Sequence, residues 1–333
     1  MEIGKVPENI LKRAVFKQIK HIRPEVLLHP GVGEDCAAVE TAPDEVLVFS
    51  TDPITGASKG MGRLAVHITA NDLASSGAEP VGILSCIILP DRTREKKLRE
   101  LMQEIVATCN EMKIEVLGGH TEISDVVNRP VVTITGVGKV KKDKLVSTGG
   151  LVPGDDLVMT KWAGLEGTTI IAAEKEEELL QHLPKQILDA AHAMEDDISV
   201  VPEAAIAVET GVHAMHDVTE GGIFGALWEV GEASGVGIEV DLKKIPIRQE
   251  TIEICEVYDI NPYMLISSGC MLIGTPHGNL LVDNLKKAGI SAAVIGRATE
   301  TNDRIIINGD ETRFLEPAGS DHLYKIYQTG RND

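Results

Sequence analysis

The stretch MGRLAVHITANDLASSGAEP, residues 61–80, constrains the fold most, because it reads as a buried helix with an acid set into its apolar stripe. Leu64, Ala65 and Ile68 recur at helical spacing, and four residues past Ile68 the same stripe carries Asp72. Asn71 lies one step round, in line with Leu64 and His67. Gly77 and Pro80 then stop the helix. A carboxylate in that position must meet a cation, a donor network or a raised pKa, since burying it bare is expensive. Either it ligates magnesium, or Ser, Thr and backbone donors satisfy it.

A helix buried on this scale needs a large core, and 333 residues with 43% hydrophobic content supply one, enough for two domains. Aromatics are only 3%, so the interior is aliphatic, which suits an α/β architecture. Lys plus Arg number 32 against 51 Asp plus Glu, and the net charge of −19 argues against nucleic acid or an anionic membrane as partner. Any phosphate bound here must be held by magnesium, backbone amides and a few local basic groups. Cys36, Cys86, Cys109, Cys255 and Cys270 are scattered with no C-x-x-C pair, the pattern of reduced thiols rather than of a zinc or disulfide framework. No apolar run approaches the roughly 20 residues that span a bilayer, and the first residues lack a signal-peptide core. The expectation is a soluble, cytoplasmic protein.

Along the chain, residues 8–20 have helical spacing and GVGEDC at 31–36 is a glycine-containing loop. The apolar strand Val46–Phe49 runs into Ser50, Thr51 and Asp52, delivering a second acid at its end. Ile83–Leu89 and Ile114–Leu117 read as strands flanking an amphipathic helix over 93–112, and the second strand ends in Gly118, Gly119, His120, Thr121 and Glu122. Strands ending in polar, glycine-bearing corners are where α/β proteins place sites. A boundary near Gly149, Gly150 and Pro153 divides the chain into domains 1–150 and 151–333. In the second, residues 174–189 read as a solvated acidic helix, Val212–Met215 as a short strand before HDVTEGG at 216–222, and Asn308–Gly309 as a hairpin turn.

Several chemistries drop out. There is no P-loop; Cys36 occupies the place of the third glycine in a dinucleotide fingerprint; and the H-x-E at 120–122 has no P-C-x-x-C after it, as a zinc deaminase requires. His213 and His216 are read as structural, because strand spacing sends them to opposite faces. What remains is Asp35 after the glycine loop, Asp52 at a strand end, Asp72 on the buried helix and Asp217 opening DVTEGG. Acids on separate elements, beside glycines that admit close backbone approach, suit a magnesium–nucleotide site without a P-loop.

These residues also carry a resemblance. GVGEDCA, STD at 50–52, TANDLASSGAEP, GGHTE, PGDD at 153–156, DVTEGG and SSG at 267–269 occur in the order found in the AIR synthase (PurM) superfamily, whose members include AIR synthase, selenophosphate synthetase, thiamine-monophosphate kinase and HypE. The resemblance implies a PurM-like α/β (α+β) fold of two domains and a homodimer whose N-terminal domains build a β-barrel. It implies ATP and Mg2+ as cofactors, and activation of a small-molecule substrate by γ-phosphoryl transfer with ADP formation. Carried over by motif, Asp35, Asp52 and Asp72 are the metal and phosphate acids, with Thr51 and Asn71 beside them. Gly31 and Gly33 form the phosphate-covering loop, Gly118 and Gly119 let backbone approach the nucleotide, and His120 adjoins them. Asp217, as a catalytic residue, with Thr219, Glu220, Ser268 and Gly269, lines the substrate side. Lys5 is the candidate for steadying the transferred phosphoryl group, against the alternative of an ordinary surface lysine.

The wording is nearest to HypE, a hydrogenase maturation protein that dehydrates a carbamoyl group on its C-terminal Cys. This sequence ends YQTGRND without that Cys, and His120 stands where HypE-type sequences carry an acid. Both departures keep an alternative open: a non-catalytic ATP-binding scaffold working with a metallocentre-maturation partner. Cys36, beside Asp35, is read as core rather than as a reactive thiol.

Overall fold

The computed structural model describes residues 8–14, 24–29, 31–34, 36–54, 60–317 and 319–328. Lys5 and Asp35 lie outside them, as does the end of the helix expected over 8–20, whose described part is α1 (Glu8–Ala14). The chain divides into two units. The smaller takes residues 24–29 and the run up to 145; the larger takes α1, residues 31–34 and everything from 146 onward.

The smaller unit is a six-stranded sheet with helices on one face. Its strands are β1 (Val26–Leu28), β2 (Ala37–Ala42), β3 (Glu45–Ile54), β4 (Glu79–Pro90), β5 (Glu115–Ser124) and β6 (Val131–Lys141), in the order β1-β2-β3-β6-β4-β5. All neighbours are antiparallel except β4 and β5. A parallel pair needs a crossover, which α3 (Glu95–Met112) supplies. The helix expected at 61–77 is α2 (Met61–Ser75), buried along almost its whole length. It packs over β3, β6 and β4, where Gly136 and Gly138 leave room for Thr69, Leu73 and Ala78. Gly77, at φ +80°, turns the chain out of the helix, and the amides of Gly77 and Ala78 close onto Ala74 O and Leu73 O at 2.8 and 3.0 Å. Val46, Val48 and Ser50 of β3 face α2, while Thr51 points to the opposite, open face, as strand alternation requires. That open face also carries exposed Leu84 and Cys86, with Leu47, Phe49 and Val137 half-buried.

Two local expectations change. Asp52 lies inside β3 rather than at its end, because the strand continues to Ile54 by pairing with β6. Likewise β5 runs straight through Gly118–Glu122, because β4 continues beside it in register.

The larger unit has seven strands: β7 (Asp156–Thr160), β8 (Ala214–Val218), β9 (Gly237–Asp241), β10 (Cys270–Thr275), β11 (Ala292–Thr299), β12 (Arg304–Asn308) and β13 (Glu311–Phe314). Their order is β13-β12-β9-β11-β7-β10-β8, parallel between β12 and β9 alone. Around it lie α4 (Leu165–Glu174), α5 (Glu176–Leu179), α6 (Lys185–Ala193), α7 (Val201–Thr210), α8 (Gly222–Ser234), α9 (Gln249–Val257), α10 (Gly278–Lys287) and α11 (Leu323–Gln328). The acidic stretch 174–189 is thus two helices, broken ahead of Pro184, whose ring cannot continue one. One core, with Leu157, Met159, Leu227 and Ile238, lies against the sheet; a second, with Ile171, Leu188 and Ile254, lies among α4, α6 and α9. The hairpin closes on Asn308 and Glu311 with Gly309 at φ +64°.

Segments from the front of the chain are built into this unit. Trp228 Nε1 donates to Glu8 Oε2 at 3.2 Å, Lys12 pairs with Glu232 at 2.8 Å, and Gly33, at φ +68°, packs against Glu229 and Thr148 so closely that a Cβ would lie 3.0 Å from Glu229 Cβ. The expectation of a two-domain α/β (α+β) protein holds. Neither sheet closes on itself among the described residues.

Candidate functional site

The expected site residues fall into two groups, one in each unit. In the smaller unit, Asp72 is 3% exposed and Asn71 wholly buried beside it on α2. The Ser50 hydroxyl donates to Asp72 Oδ2, while Asp72 O accepts from Cys36 Sγ at 3.2 Å and Ser75 Oγ at 2.7 Å. Cys36 is accordingly a buried packing residue. Asp52 is two positions beyond Ser50 on the same strand, so alternation sets it on the same helix-covered face as Asp72. The donor-network and metal readings of Asp72 are therefore compatible: Ser50 engages one carboxylate oxygen and fixes the side chain. Among the described residues no three His, Cys, Asp or Glu side chains form a ready-made metal cage. Magnesium does not need one, since it takes one or two carboxylates and completes its shell with water and phosphate oxygens.

Other members of this group are dispersed. Thr51 faces the open side of the sheet, where its hydroxyl meets that of Thr135 at 2.9 Å. Gly118, Gly119 and His120 lie on the edge strand β5, both glycines at φ +151°, and the exposed His120 ring is 3.2 Å from Glu122 Oε2. Gly119 is fixed by packing, because a Cβ there would overlap the Ser85 carbonyl oxygen and lie 2.8 Å from Ser85 N. Gly118 has open space, with only Leu84 Cδ2 at 3.7 Å from a Cβ position.

In the larger unit the second group does converge. Asp217 is fully buried inside β8, opposite Met271 of β10, so it lies beneath the turn rather than opening it. The strand extends to Val218 because β10 pairs with it throughout. Thr219 and Glu220 follow, half-buried, and Gly221 and Gly222 turn the chain into α8 at φ +93° and +62°. Antiparallel pairing of β8 with β10 brings Ser268 and Gly269 alongside. Gly269, at φ +99°, lies where a Cβ would be 2.7 Å from Asp197 O. His213 and His216 are structural, as expected: His213 Nδ1 is 2.9 Å from Asp155 Oδ2 and His216 Nε2 is 3.0 Å from Glu229 Oε2.

Sequence reasoning missed two acids here, Glu166 and Asp321. Glu166 opens α4, and that turn is stitched to the Ser268 segment by Gly164 N donating to Ser267 Oγ at 2.7 Å and Gly167 N to Ile266 O at 2.9 Å. Asp321 accepts from Gly221 N at 2.7 Å and Leu323 N at 2.8 Å, tying the segment before α11 to the glycine turn. The available signal was the run AGLEG between a strand and a helix, the same kind of corner as DVTEGG.

Burial pushes the Glu166 carboxyl up to about 7; Ser268 opposes this, and the charges of Asp321 and Glu220 add to it. Asp321 rises to about 6, chiefly by burial, against the pull of the Leu323, Gly221 and Ile266 amides. Burial beside the same acids lifts the Tyr324 hydroxyl to about 12. Between roughly pH 4.5 and 7 the folded protein keeps a proton on Glu166 that the unfolded chain has released, so stability falls as pH rises through that window. Glu166→Gln should flatten this part of the profile. The variant should match the wild type near pH 5 and exceed it by about 2–3 kcal/mol at pH 8 in urea unfolding. Parallel curves for the two proteins would show that burial does not shift this group.

Comparison with known proteins agrees with this layout. Residues 33–140 match the AIR synthase related protein N-terminal domain and residues 152–308 the corresponding C-terminal domain. Carbamoyl dehydratase HypE of Rhodobacter capsulatus is 26% identical over 300 residues, covering 86% of each chain. A crystal structure of the hydrogenase maturation protein HypE in complex with ATP superposes with a TM-score of 0.72 at 18% identity, covering 96% of this chain and 97% of that one. A chain of a HypE–HypF complex gives 0.73 at 20% identity, covering 86% of this chain and 94% of that one. With tandem matches to both domains and a fold shared with these structures, the chain belongs to the AIR synthase-related family.

Proposed function

We propose that this protein is a HypE-like enzyme that uses ATP and Mg2+ to phosphorylate an oxygen of a small-molecule substrate, releasing ADP. The observation that carries the reading is the buried Asp72 carboxylate, held by Ser50 and sharing a sheet face with Asp52. Hard carboxylate oxygens fixed in that way fit magnesium, and Asp35 is the proposed third acid. The ion would supply charge neutralisation for the phosphates, which a chain of net charge −19 needs more than most. Asn71, buried beside Asp72, belongs to the proposed nucleotide site; Gly118, which has room around it, is the glycine of its pair suited to close approach. Thr219, Glu220, Ser268 and Gly269 are the proposed substrate side. Asp217 acts there through the turn above it, and Lys5 steadies the transferred group. Phosphorylating a carbonyl-type oxygen makes it a good leaving group, so the chain's own contribution is positioning and charge.

The open, partly apolar face of the smaller sheet supports a homodimer in which two such sheets meet and complete a barrel. A second maturation protein is a further proposed partner, as HypF is for HypE. No helix among the described residues is long and apolar enough to cross a membrane, consistent with a cytoplasmic enzyme. A scaffold without turnover is the second reading, favoured by His120, whose ring is exposed and engaged with Glu122.

The test is a melting-temperature titration of the wild type and Asp72→Asn with ATP plus magnesium, and with each alone. Binding to the native state should raise the wild-type value by several degrees only when both are present, and the variant should lose the shift. The absence of any shift in the wild type would remove the nucleotide reading; a shift unaccompanied by ADP release across amide, amine and thiol substrates would favour the scaffold.

A further inference from the structure

The acids around the second glycine turn carry more information than a generic substrate wall. Glu166, 4% exposed, sits in the first turn of α4 and faces the hydroxyl and amide of Ser268. Asp321 and Glu220 lie close enough for their charges to act on it. Asp321 is already occupied, both oxygens accepting backbone amides. Glu166 Oε2, by contrast, has no hydrogen-bond partner among the described residues. The Ser268 hydroxyl, fully buried, faces Glu166 and has no other side chain or backbone group on its oxygen among the described residues. Buried polar atoms in this state are rare, and each asks what completes it. An anion is excluded by the three carboxyls. A magnesium ion would need a set of oxygen ligands that the described residues do not gather here. A nitrogen cation answers both needs, because its N–H groups donate to the open carboxylate oxygen and the hydroxyl while its charge offsets the acids.

We propose that Glu166 and Ser268, backed by Asp321 and Glu220, form a receptor for a cationic nitrogen group of the substrate, an ammonium or amidinium. This names the substrate class for the enzyme proposed above and rests on that reading for its catalytic meaning. The groups that act most strongly on Glu166 are Ser268 before β10, Asp321 before α11 and Glu220 after β8, and Glu166 in turn acts on Tyr324 of α11; none of these four is basic. Glu166 binds and orients, without a covalent role.

The experiment uses the whole protein at pH 8, where Glu166 is ionised, with acetamidinium chloride as probe. Acetamide serves as its neutral isostere and sodium chloride as the ionic-strength control. Acetamidinium should raise the wild-type melting temperature by about 1–2 °C over both controls. Glu166→Gln should weaken the apparent affinity at least about tenfold, as expected for loss of a charge-assisted contact. Ser268→Ala, an almost isosteric change, should weaken it by a smaller factor, so the proposal remains testable if either variant folds poorly. The response to ATP plus magnesium is measured in parallel on the wild type. Equal shifts with acetamidinium and acetamide, or an acetamidinium shift retained in Glu166→Gln, would overturn the receptor. Loss of the amidinium response with the nucleotide response intact defeats this inference alone; the reverse pattern defeats the nucleotide reading alone.

Discussion

Lys161→Met should cost about 3–5 kcal/mol of folding stability, the range found when one partner of a buried ion pair is removed. Lys161 follows β7 with φ +49°, an uncommon conformation for a side-chain-bearing residue. Its Nζ is held by Glu203 Oε1 at 2.7 Å, Asp197 O at 2.7 Å and Ser199 O at 2.5 Å. Glu203 is 1% exposed, and burial raises its pKa despite the lowering effect of Lys161. Without the ammonium, Glu203 must take up a proton or sit in the core as an uncompensated charge. Lys161→Met combined with Glu203→Leu should recover most of the loss, since apolar replacement of both partners is often close to neutral. Urea unfolding of the two variants at pH 7 measures this, and a cost below about 1 kcal/mol for the single change would refute it. The effect also reaches the Gly269 turn, because Asp197 O and Ile198 Cα pack where a Cβ on Gly269 would lie.

The second large effect is expected at Gly119→Ala. A Cβ there runs into the Ser85 backbone, with Ser85 N at 2.8 Å, and backbone cannot swing aside as a flexible side chain can. The residue also sits at φ +151°, where an L-residue is strained. We expect about 3 kcal/mol or more of destabilisation and a loss of hydrogen-exchange protection along β5, the edge strand that would detach first. Gly118→Ala, with the same φ but open space, should cost only about 1–2 kcal/mol for the backbone strain. If the paired glycines served nucleotide approach alone, both alanine variants would fold equally well and differ from the wild type only in ATP binding.

Much of the architecture was legible in the sequence because its signals were local. The α2 stripe, the Gly77 stop and the 308–309 hairpin each need only a few neighbouring residues. Strand ends were less legible: Asp52, Gly118–Glu122 and Asp217 were read as corners, yet pairing with β6, β4 and β10 carries their strands past them. Such extension is decided by a partner far along the chain. The acids of the smaller unit stood out because an acid interrupts an apolar stripe. Glu166 and Asp321 were hidden because each looks like an ordinary helix-entry acid, and burial is assigned by elements 100 or more residues away.

The order in which the chain visits its two units bears on how such proteins can change. Residues 8–14 and 31–34 are structural parts of the larger unit, through Glu8 and Lys12 on α8 and Gly33 against Glu229 and Thr148. A recombination event that exchanged the second half for that of a relative would strand those pieces against foreign surfaces. The two halves are therefore not interchangeable cassettes. Substitutions at the front of the chain and on α8 are bound to be inherited together, and a donor half is accepted only with the leading segment that grew up with it.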